Sequence, residues 1–273
     1  FLTFRNAPKE LCAVPLELVT RIEQIRRPQV EVIGSRRTIQ YRGSILPLVT
    51  LKDAAEVDGI QEDQSLVVIV FSLGAHEVGL LAAMPVDVVE TDVTIDQSIH
   101  RQKGIMGSAI IRNEIAMIVD IFELVEAAYP EWTIERRQDL PAAGDVTILL
   151  AEDSDFFRSQ VKRFIEGDGY RVLAAEDGQI AWEILERNPD TISLVVTDIE
   201  MPRLNGLGLT QNIRNDKRFE HLPVIALTSL ASEEDIARGK AAGVSEYQVK
   251  LDKDNLLAGI RQYLDKSVEA GKL

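Results

Sequence analysis

From Val146 onward, five short apolar runs alternate with five amphipathic stretches, and this alternation constrains the fold more than any other feature of the 273-residue chain. Thr147 to Ala151, Arg171 to Ala174, Ser193 to Val196, Pro223 to Leu227 and Tyr247 to Val249 are short and largely apolar, which predicts strands. Phe156 to Glu166, Gln179 to Arg187, Leu207 to Asn215, Glu233 to Ala242 and Asp254 to Asp265 carry apolar residues three and four apart, which predicts helices. Repetition of strand and helix calls for a parallel sheet, and right-handed crossovers place helices on both of its faces. The expected fold is α/β and doubly wound, with five parallel strands and any ligand beyond their carboxyl ends.

Those ends carry reactive groups. Glu152 and Asp153 follow the first strand, Asp198 the third, Thr228 the fourth and Lys250 the fifth. Three carboxylates brought into one cavity cannot all stay ionised without a compensating cation. An all-oxygen, partly hydrated site favours Mg2+, and Mn2+ could replace it. Asp198, held ionised, could then attack a phosphorus atom in line. Lys250 would add positive charge to the phosphoryl oxygens, and Thr228 a hydroxyl donor able to shift on their arrival. Singly, an Asp at a strand end is often a helix cap and a surface Lys is usually solvated. The functional reading rests on five suitable residue types at successive sites along one sheet edge.

The first 130 residues read differently. Leu2 to Phe4, Thr38 to Tyr41, Ile45 to Leu51, Ser65 to Phe71 and Ile115 to Ile121 are short β-type runs, so this half reads as mostly β. The segment also repeats: Ala13-Val14-Pro15-Leu16-Glu17-Leu18-Val19 aligns 70 residues ahead with Ala83-Met84-Pro85-Val86-Asp87-Val88-Val89. Arg42-Gly43-Ser44-Ile45-Leu46-Pro47-Leu48-Val49-Thr50-Leu51 meets Arg112 to Ile121 at the same offset, a turn pair and then an apolar strand in both copies. Two such small units are expected to pack together and leave a crevice suited to a partner. Residues 131–145, polar and ending in Leu140-Pro141-Ala142-Ala143-Gly144-Asp145, read as a linker.

Charge and composition exclude several function classes. The net charge is −14, and both halves are acidic, so DNA, RNA and anionic lipid are repelled by the overall field. Cys12 is alone and can form neither an internal disulfide nor a two-cysteine metal site, which fits a reducing compartment. Apolar runs such as Leu66 to Phe71 fall far short of the roughly 18 residues that span a membrane, so a soluble chain is expected. His76, His100 and His221 lie in hairpin, loop and turn contexts and are expected at the surface. The start at Phe1, within a strand, suggests a piece of something longer.

Leu149-Leu150-Ala151-Glu152-Asp153-Ser154, Val195-Val196-Thr197-Asp198-Ile199-Glu200-Met201-Pro202 with Asn205-Gly206, and Leu227-Thr228-Ser229 resemble the response-regulator receiver (CheY-like) family across about residues 146–267. The resemblance implies a flavodoxin-like fold with Asp198 as phosphoacceptor. It implies Mg2+ held by Asp153, Glu152 and Asp198, with Glu200 contributing its backbone carbonyl. Thr228, Tyr247 and Lys250 would form the switch. One departure is that Leu251 follows Lys250 where the family has Pro, which puts that loop's usual cis bond in doubt.

Gln40-Tyr41-Arg42-Gly43-Ser44-Ile45-Leu46-Pro47-Leu48-Val49, with its weaker echo near Ile115, resembles the CheW-like domain over about residues 1–130. That implies an all-β double barrel acting as an adaptor among chemoreceptors, CheW-type coupling proteins and CheA-type kinases. Arg42, before Gly43, reads either as a surface or inter-barrel contact or as a side chain that only packs its stem. The expected order is an adaptor domain (1–130), a linker (131–145), a receiver (146–267) and a C-terminal tail (268–273). Arg21-Ile22-Glu23-Gln24-Ile25, Gln40 to Gly43 and Leu251-Asp252 look more like hybrid CheA kinases than the free-standing CheV adaptor. The resemblance then implies a phosphotransfer domain as donor and a place in the cytoplasm, at chemosensory arrays. These 273 residues hold no ATP-binding box and no helical bundle bearing a phosphorylatable His, so phosphate is received rather than transferred to histidine. A haloacid-dehalogenase-type phosphatase is the rival enzyme reading, but there the extra acids follow the lysine, whereas Glu152 and Asp153 precede Asp198. An adaptor with an unused receiver is the rival without chemistry.

Overall fold

The computed structural model describes residues 1–61, 65–73, 76–91, 93–134, 146–228 and 233–269. The chain divides into two compact units, Phe1–Gln138 and Asp139–Leu273.

The first unit contains β1 (Leu2–Ala7), β2 (Glu10–Val14), β3 (Val19–Ile25), β4 (Glu31–Ile33), β5 (Arg36–Tyr41), β6 (Ser44–Val49), β7 (Leu66–Leu73), β8 (His76–Val88), β9 (Ile105–Ile111) and β10 (Glu114–Val119). Helices α1 (Ile121–Ala128) and α2 (Glu131–Ile134) follow. The strands form one ten-stranded mixed sheet in the order β4-β5-β6-β8-β1-β2-β10-β9, with β7 joining β8 to β3. Most pairs are antiparallel; β6 with β8 and β2 with β10 are parallel.

Side chains alternate faces along a strand, so a run that is apolar throughout must be buried on both sides. In β7, Val67, Ile69 and Phe71 enter one core together with Val78, Leu80 and Ala82 of β8. Leu66, Val68 and Val70 enter a second core with Leu81. Two cores on opposite faces of β7 and β8 thus share strands. The repeat units are joined through the 13-residue β8, which pairs Gly79 with Leu48 of β6 and Val88 with Leu2 of β1. Gly79 is needed there, because a Cβ would lie 2.5 Å from Val68 and 2.6 Å from Leu48.

The 70-residue offset is visible in the backbone. Arg42 and Gly43 have φ of 49° and 82°, and Arg112 and Asn113 have 48° and 68°, the paired positive values a tight hairpin turn requires. The strands that follow, β6 and β10, share one burial pattern: two exposed residues, then buried, half-buried, buried, buried. Both copies stop short of the expected strand end. Thr50 begins a single 3-10 turn at Leu51–Asp53, and Asp120 caps α1 by accepting from the Glu123 amide at 3.0 Å. Leu51 and Ile121, read from the sequence as strand residues, are therefore helical: Asp120 satisfies an amide of the first turn of α1, and in the other copy Asp53 accepts from the Thr50 amide at 2.7 Å.

The expected linker begins with structure. Its first four residues form α2, where Trp132 stacks on Tyr129 at 4.4 Å and on His76 at 4.3 Å between ring centroids. Residues 135–145 lie outside the described residues. His76, His100 and His221 are exposed, and His100 Nδ1 lies 3.0 Å from Ser108 Oγ.

The second unit runs β11 (Thr147–Ala151), α3 (Asp155–Gly167), β12 (Arg171–Ala175), α4 (Gly178–Arg187), β13 (Ile192–Asp198), α5 (Gly206–Asn215), β14 (Val224–Thr228), α6 (Glu233–Ala242), β15 (Glu246–Val249) and α7 (Lys253–Glu269). All strand pairs are parallel, in the order β12-β11-β13-β14-β15. This is the five-stranded α/β fold expected from the alternation. Every residue of β11, β13 and β14 is buried, as central parallel strands covered on both faces must be. Strand order reverses beside β11, which opens a crevice at the carboxyl ends of β11 and β13. Of the expected C-terminal tail, residues 268–269 belong to α7 and 270–273 lie outside the described residues. Among the described residues no helix is long and apolar enough to cross a membrane.

Candidate functional site

Asp198 is the last residue of β13, Glu152 and Asp153 directly follow β11, Thr228 ends β14, and Lys250 directly follows β15. One carboxylate oxygen from each of Glu152, Asp153 and Asp198 lies within 4.8 Å of the others, with Glu152 and Asp198 buried and Asp153 exposed. Lys250 Nζ is 2.9 Å from Asp198 Oδ2, and 3.3 Å and 3.2 Å from the two oxygens of Glu152. Asp198 Oδ1 accepts from the Ile199 amide at 2.7 Å. The Lys250 amide donates to the Thr228 carbonyl at 2.8 Å, which ties the two strand ends together.

Burial dominates the electrostatics. Removal from water, reinforced by Asp198, pushes the Glu152 carboxyl up to about 8 against the pull of Lys250. Burial raises Asp198 as well, with the Lys250 ammonium opposing it. Lys250 is pulled down by burial, but Glu152 and Asp198 outweigh this and hold it above its ordinary value. One ammonium thus pairs with two buried carboxyl groups that are reluctant to ionise, and a third, exposed carboxylate lies beside them. An all-oxygen donor set short of positive charge fits a hard divalent cation.

Local sequence explains the loops around the site. Asn205 caps α5 by accepting from the Gly208 amide at 2.8 Å, an interaction that stabilises a helix by about 1 kcal/mol. At Gly206, next in sequence, a Cβ would lie 2.0 Å from the Asp198 carbonyl oxygen, so the helix start can press against the end of β13 only without a side chain. Gly178 meets the same loop: its amide donates to the Leu204 carbonyl at 3.0 Å, and a Cβ there would lie 2.2 Å from that oxygen. Arg203, with φ 62°, pairs with Asp177. After β11, Arg158 Nη1 donates to the carbonyls of Glu152 and Asp153 at 2.8 and 3.0 Å.

Glu200 lies two residues past Asp198 and is exposed, with its carboxylate outside the acidic cluster. Tyr247 is half-buried on β15 and rests on α6, where a Cβ on Gly239 would lie 1.5 Å from its hydroxyl oxygen. Leu251 takes φ 65°; among the described residues the cis peptide is Met84–Pro85, so the bond joining Lys250 to Leu251 is trans. Arg42 belongs to the other unit, exposed at its hairpin turn with its guanidinium 5.7 Å from the Tyr41 ring centroid. Sequence reasoning missed Phe157, Arg158, Asp177, Gly178 and Arg203. Gly178, which directly follows the capping Asp177, was the available signal for a helix start beside a close approach.

Residues 1–128 match the CheW-like domain, and residues 148–261 match the response regulator receiver domain. Chemotaxis protein CheY1 of Helicobacter pylori strain ATCC 700392 / 26695 is 38% identical over 104 residues, covering 38% of this chain and 83% of that protein. The chain belongs to the response-regulator receiver family. Its receiver is preceded by a CheW-like domain. Across both halves it is similar to sensor histidine kinase CheAY of the same organism, 25% identical over 253 residues, covering 89% of this chain and 32% of that protein. A gliding motility regulatory protein of Myxococcus xanthus is 28% identical over 243 residues, covering 87% of this chain and 30% of that protein. The chain thus spans about a third of the length of these two relatives. The crystal structure of a receiver domain protein from Clostridium thermocellum aligns with 46% of this chain and 98% of its own, at 25% identity and a TM-score of 0.43.

Proposed function

We propose that the chain is a chemosensory two-component module in which Asp198 accepts a phosphoryl group from the phosphohistidine of a kinase phosphotransfer domain. The observation that carries this reading is the buried Asp198 carboxylate at the crevice, 2.9 Å from Lys250 and grouped with two further carboxylates. An Asp198 oxygen forms a bond to phosphorus as the bond from phosphorus to the donor imidazole nitrogen breaks, and the electron pair stays with that nitrogen, which takes up a proton. Lys250 transfers contacts from the carboxylates to the phosphoryl oxygens. Thr228 turns its hydroxyl toward them, and Tyr247 follows, which carries the state of Asp198 to α6. Further positive charge for these oxygens would come from Mg2+, or Mn2+ in its place, held by Glu152, Asp153, Asp198 and the Glu200 carbonyl.

The CheW-like half, about residues 1–130, acts as the array adaptor, with the receiver at 146–267 regulating kinase output. Support for a hybrid CheA-type kinase as parent comes from the similarity to a sensor histidine kinase across both halves. Its partners are then a phosphotransfer domain, a CheW-type coupling protein and a chemoreceptor, in the cytoplasm at chemosensory arrays. Arg42, exposed at its turn, is available to such a protein partner.

Acetyl phosphate with Mg2+ tests the reading. Label is expected on the wild-type chain and absent from Asp198→Asn, and an unlabelled wild type, or an equally labelled variant, overturns it.

A further inference from the structure

Lys250 has a third neighbour that neither the acidic cluster nor the receiver motifs account for. Its Nζ lies 4.9 Å from the centroid of the Phe157 ring, and the lysine side chain is only 12% exposed. Phe157 is 4% exposed in the first turn of α3. The ring is held from two sides. Phe156 meets it edge-on at 5.4 Å and 87°, and Arg158, next in sequence, ties the helix start to the Glu152 and Asp153 carbonyls. The ring therefore occupies a set position relative to the very residues that hold the carboxylates.

An ammonium has three donors and no acceptor, and here Asp198 and Glu152 take contacts on one side while the aromatic face lies within reach on another. The face of a benzene ring attracts a cation through its quadrupole but fixes no hydrogen bond, and the attraction is strongest where water is excluded. A carboxylate in the same place would hold the donor and compete with a phosphoryl oxygen. An aliphatic side chain would fill the space without holding the charge.

We propose that Phe157 is a positioning residue for phosphoryl recognition: its ring keeps the Lys250 ammonium over the site while leaving the donors free to pass from Glu152 to a phosphoryl oxygen. This rests on Asp198 as phosphoacceptor and adds a residue with no polar atom to its machinery.

The test uses the full chain with Phe157→Leu, Phe157→Met and pentafluorophenylalanine incorporated at position 157, which keeps the ring shape but reverses its quadrupole. The readouts are the maximal rate of labelling by acetyl phosphate, beryllium fluoride affinity and Mg2+ affinity. All three changes are expected to lower the labelling rate and beryllium fluoride affinity by about 2- to 30-fold. Mg2+ affinity is expected to stay within about 2-fold, since the ring faces the lysine rather than the acids. Wild-type rates in the fluorinated protein overturn the proposal, as does a parallel loss of Mg2+ affinity, which would mark general damage to packing. An unlabelled wild type would instead remove the phosphoacceptor reading on which the proposal stands.

Discussion

Lys250 Nζ and Asp198 Oδ2, from residues 52 apart in the chain, lie 2.9 Å apart at the carboxyl edge of the sheet, and the same ammonium contacts both oxygens of Glu152. The lysine is ion-paired with both of these buried acids, and its removal separates its structural role from its chemical one.

Lys250→Met is expected to destabilise the metal-free receiver by about 3 kcal/mol, the scale on which a buried pair is broken by losing one partner. Mg2+ affinity should stay the same or rise, because the acids lose a competing cation. Urea unfolding in EDTA and in Mg2+ checks both, and a variant that binds Mg2+ more weakly contradicts the arrangement.

Glu152 gives a pH dependence of definite sign. Its carboxyl is pushed from 4.5 up to about 8 on folding, so between these values the folded chain holds a proton that the unfolded chain releases. Metal-free stability should therefore fall as pH rises from about 4.5 to about 8 and level off above. Lys250, held above 10.5, stays charged across this window. A divalent cation must displace the Glu152 proton, so Mg2+ affinity should strengthen as pH approaches about 8. Urea midpoints in EDTA that climb with pH through this range would refute the assignment.

Gly206→Ala places a methyl group 2.0 Å from the Asp198 carbonyl oxygen. The start of α5 must retreat from β13, at a cost of about 1–3 kcal/mol. Chemical denaturation measures the loss. On the proposed function, labelling of Asp198 by acetyl phosphate should fall with it, since the same shift moves the Asp198 backbone.

Gly239→Ala conflicts with the Tyr247 hydroxyl, which lies 1.5 Å from where the methyl carbon would be. The tyrosine must leave its seat on α6. In a double-mutant cycle with Tyr247→Ala the two changes should couple by about 1 kcal/mol or more, because the second removes the clash made by the first. Additive effects would show that the ring is not held there.

Cys12 is fully buried, and burial pushes its thiol far up, with Glu10 adding to the effect. The thiolate is the reactive form, so alkylation at mild alkaline pH should be negligible in the folded protein. The thiol should become reactive only with unfolding of the first unit, when followed by iodoacetamide capture across a urea series.

Most of the receiver fold was legible because its signals are local. Apolar periodicity between Val146 and Asp265 marked each strand and helix, and strand-end chemistry pointed to Glu152, Asp153, Asp198, Thr228 and Lys250 before any geometry was known. Ile121 and Leu51 were misread as strand for an equally local reason: both continue an apolar run, and a nearby Asp side chain, Asp120 before Ile121 or Asp53 after Leu51, takes up an amide where the helical turn begins. Phe157 was read as part of an apolar helical face, and it does pack there; its second relationship, to Lys250, spans 93 positions that periodicity does not connect.

The amino-acid order by itself determined the alternation that becomes a parallel sheet, the 70-residue duplication, and the supply of three acids, a threonine and a lysine to one sheet edge. Only the tertiary structure decided that β7 and β8 serve two cores, that Glu152 is buried enough to hold its proton up to about 8, and that one lysine lies among two carboxylates and an aromatic face. The division follows from range. Side-chain pattern and capping act within a few residues, whereas burial, electrostatic coupling and the clearance at Gly206 depend on distances set by crossovers that close only when the whole unit has folded.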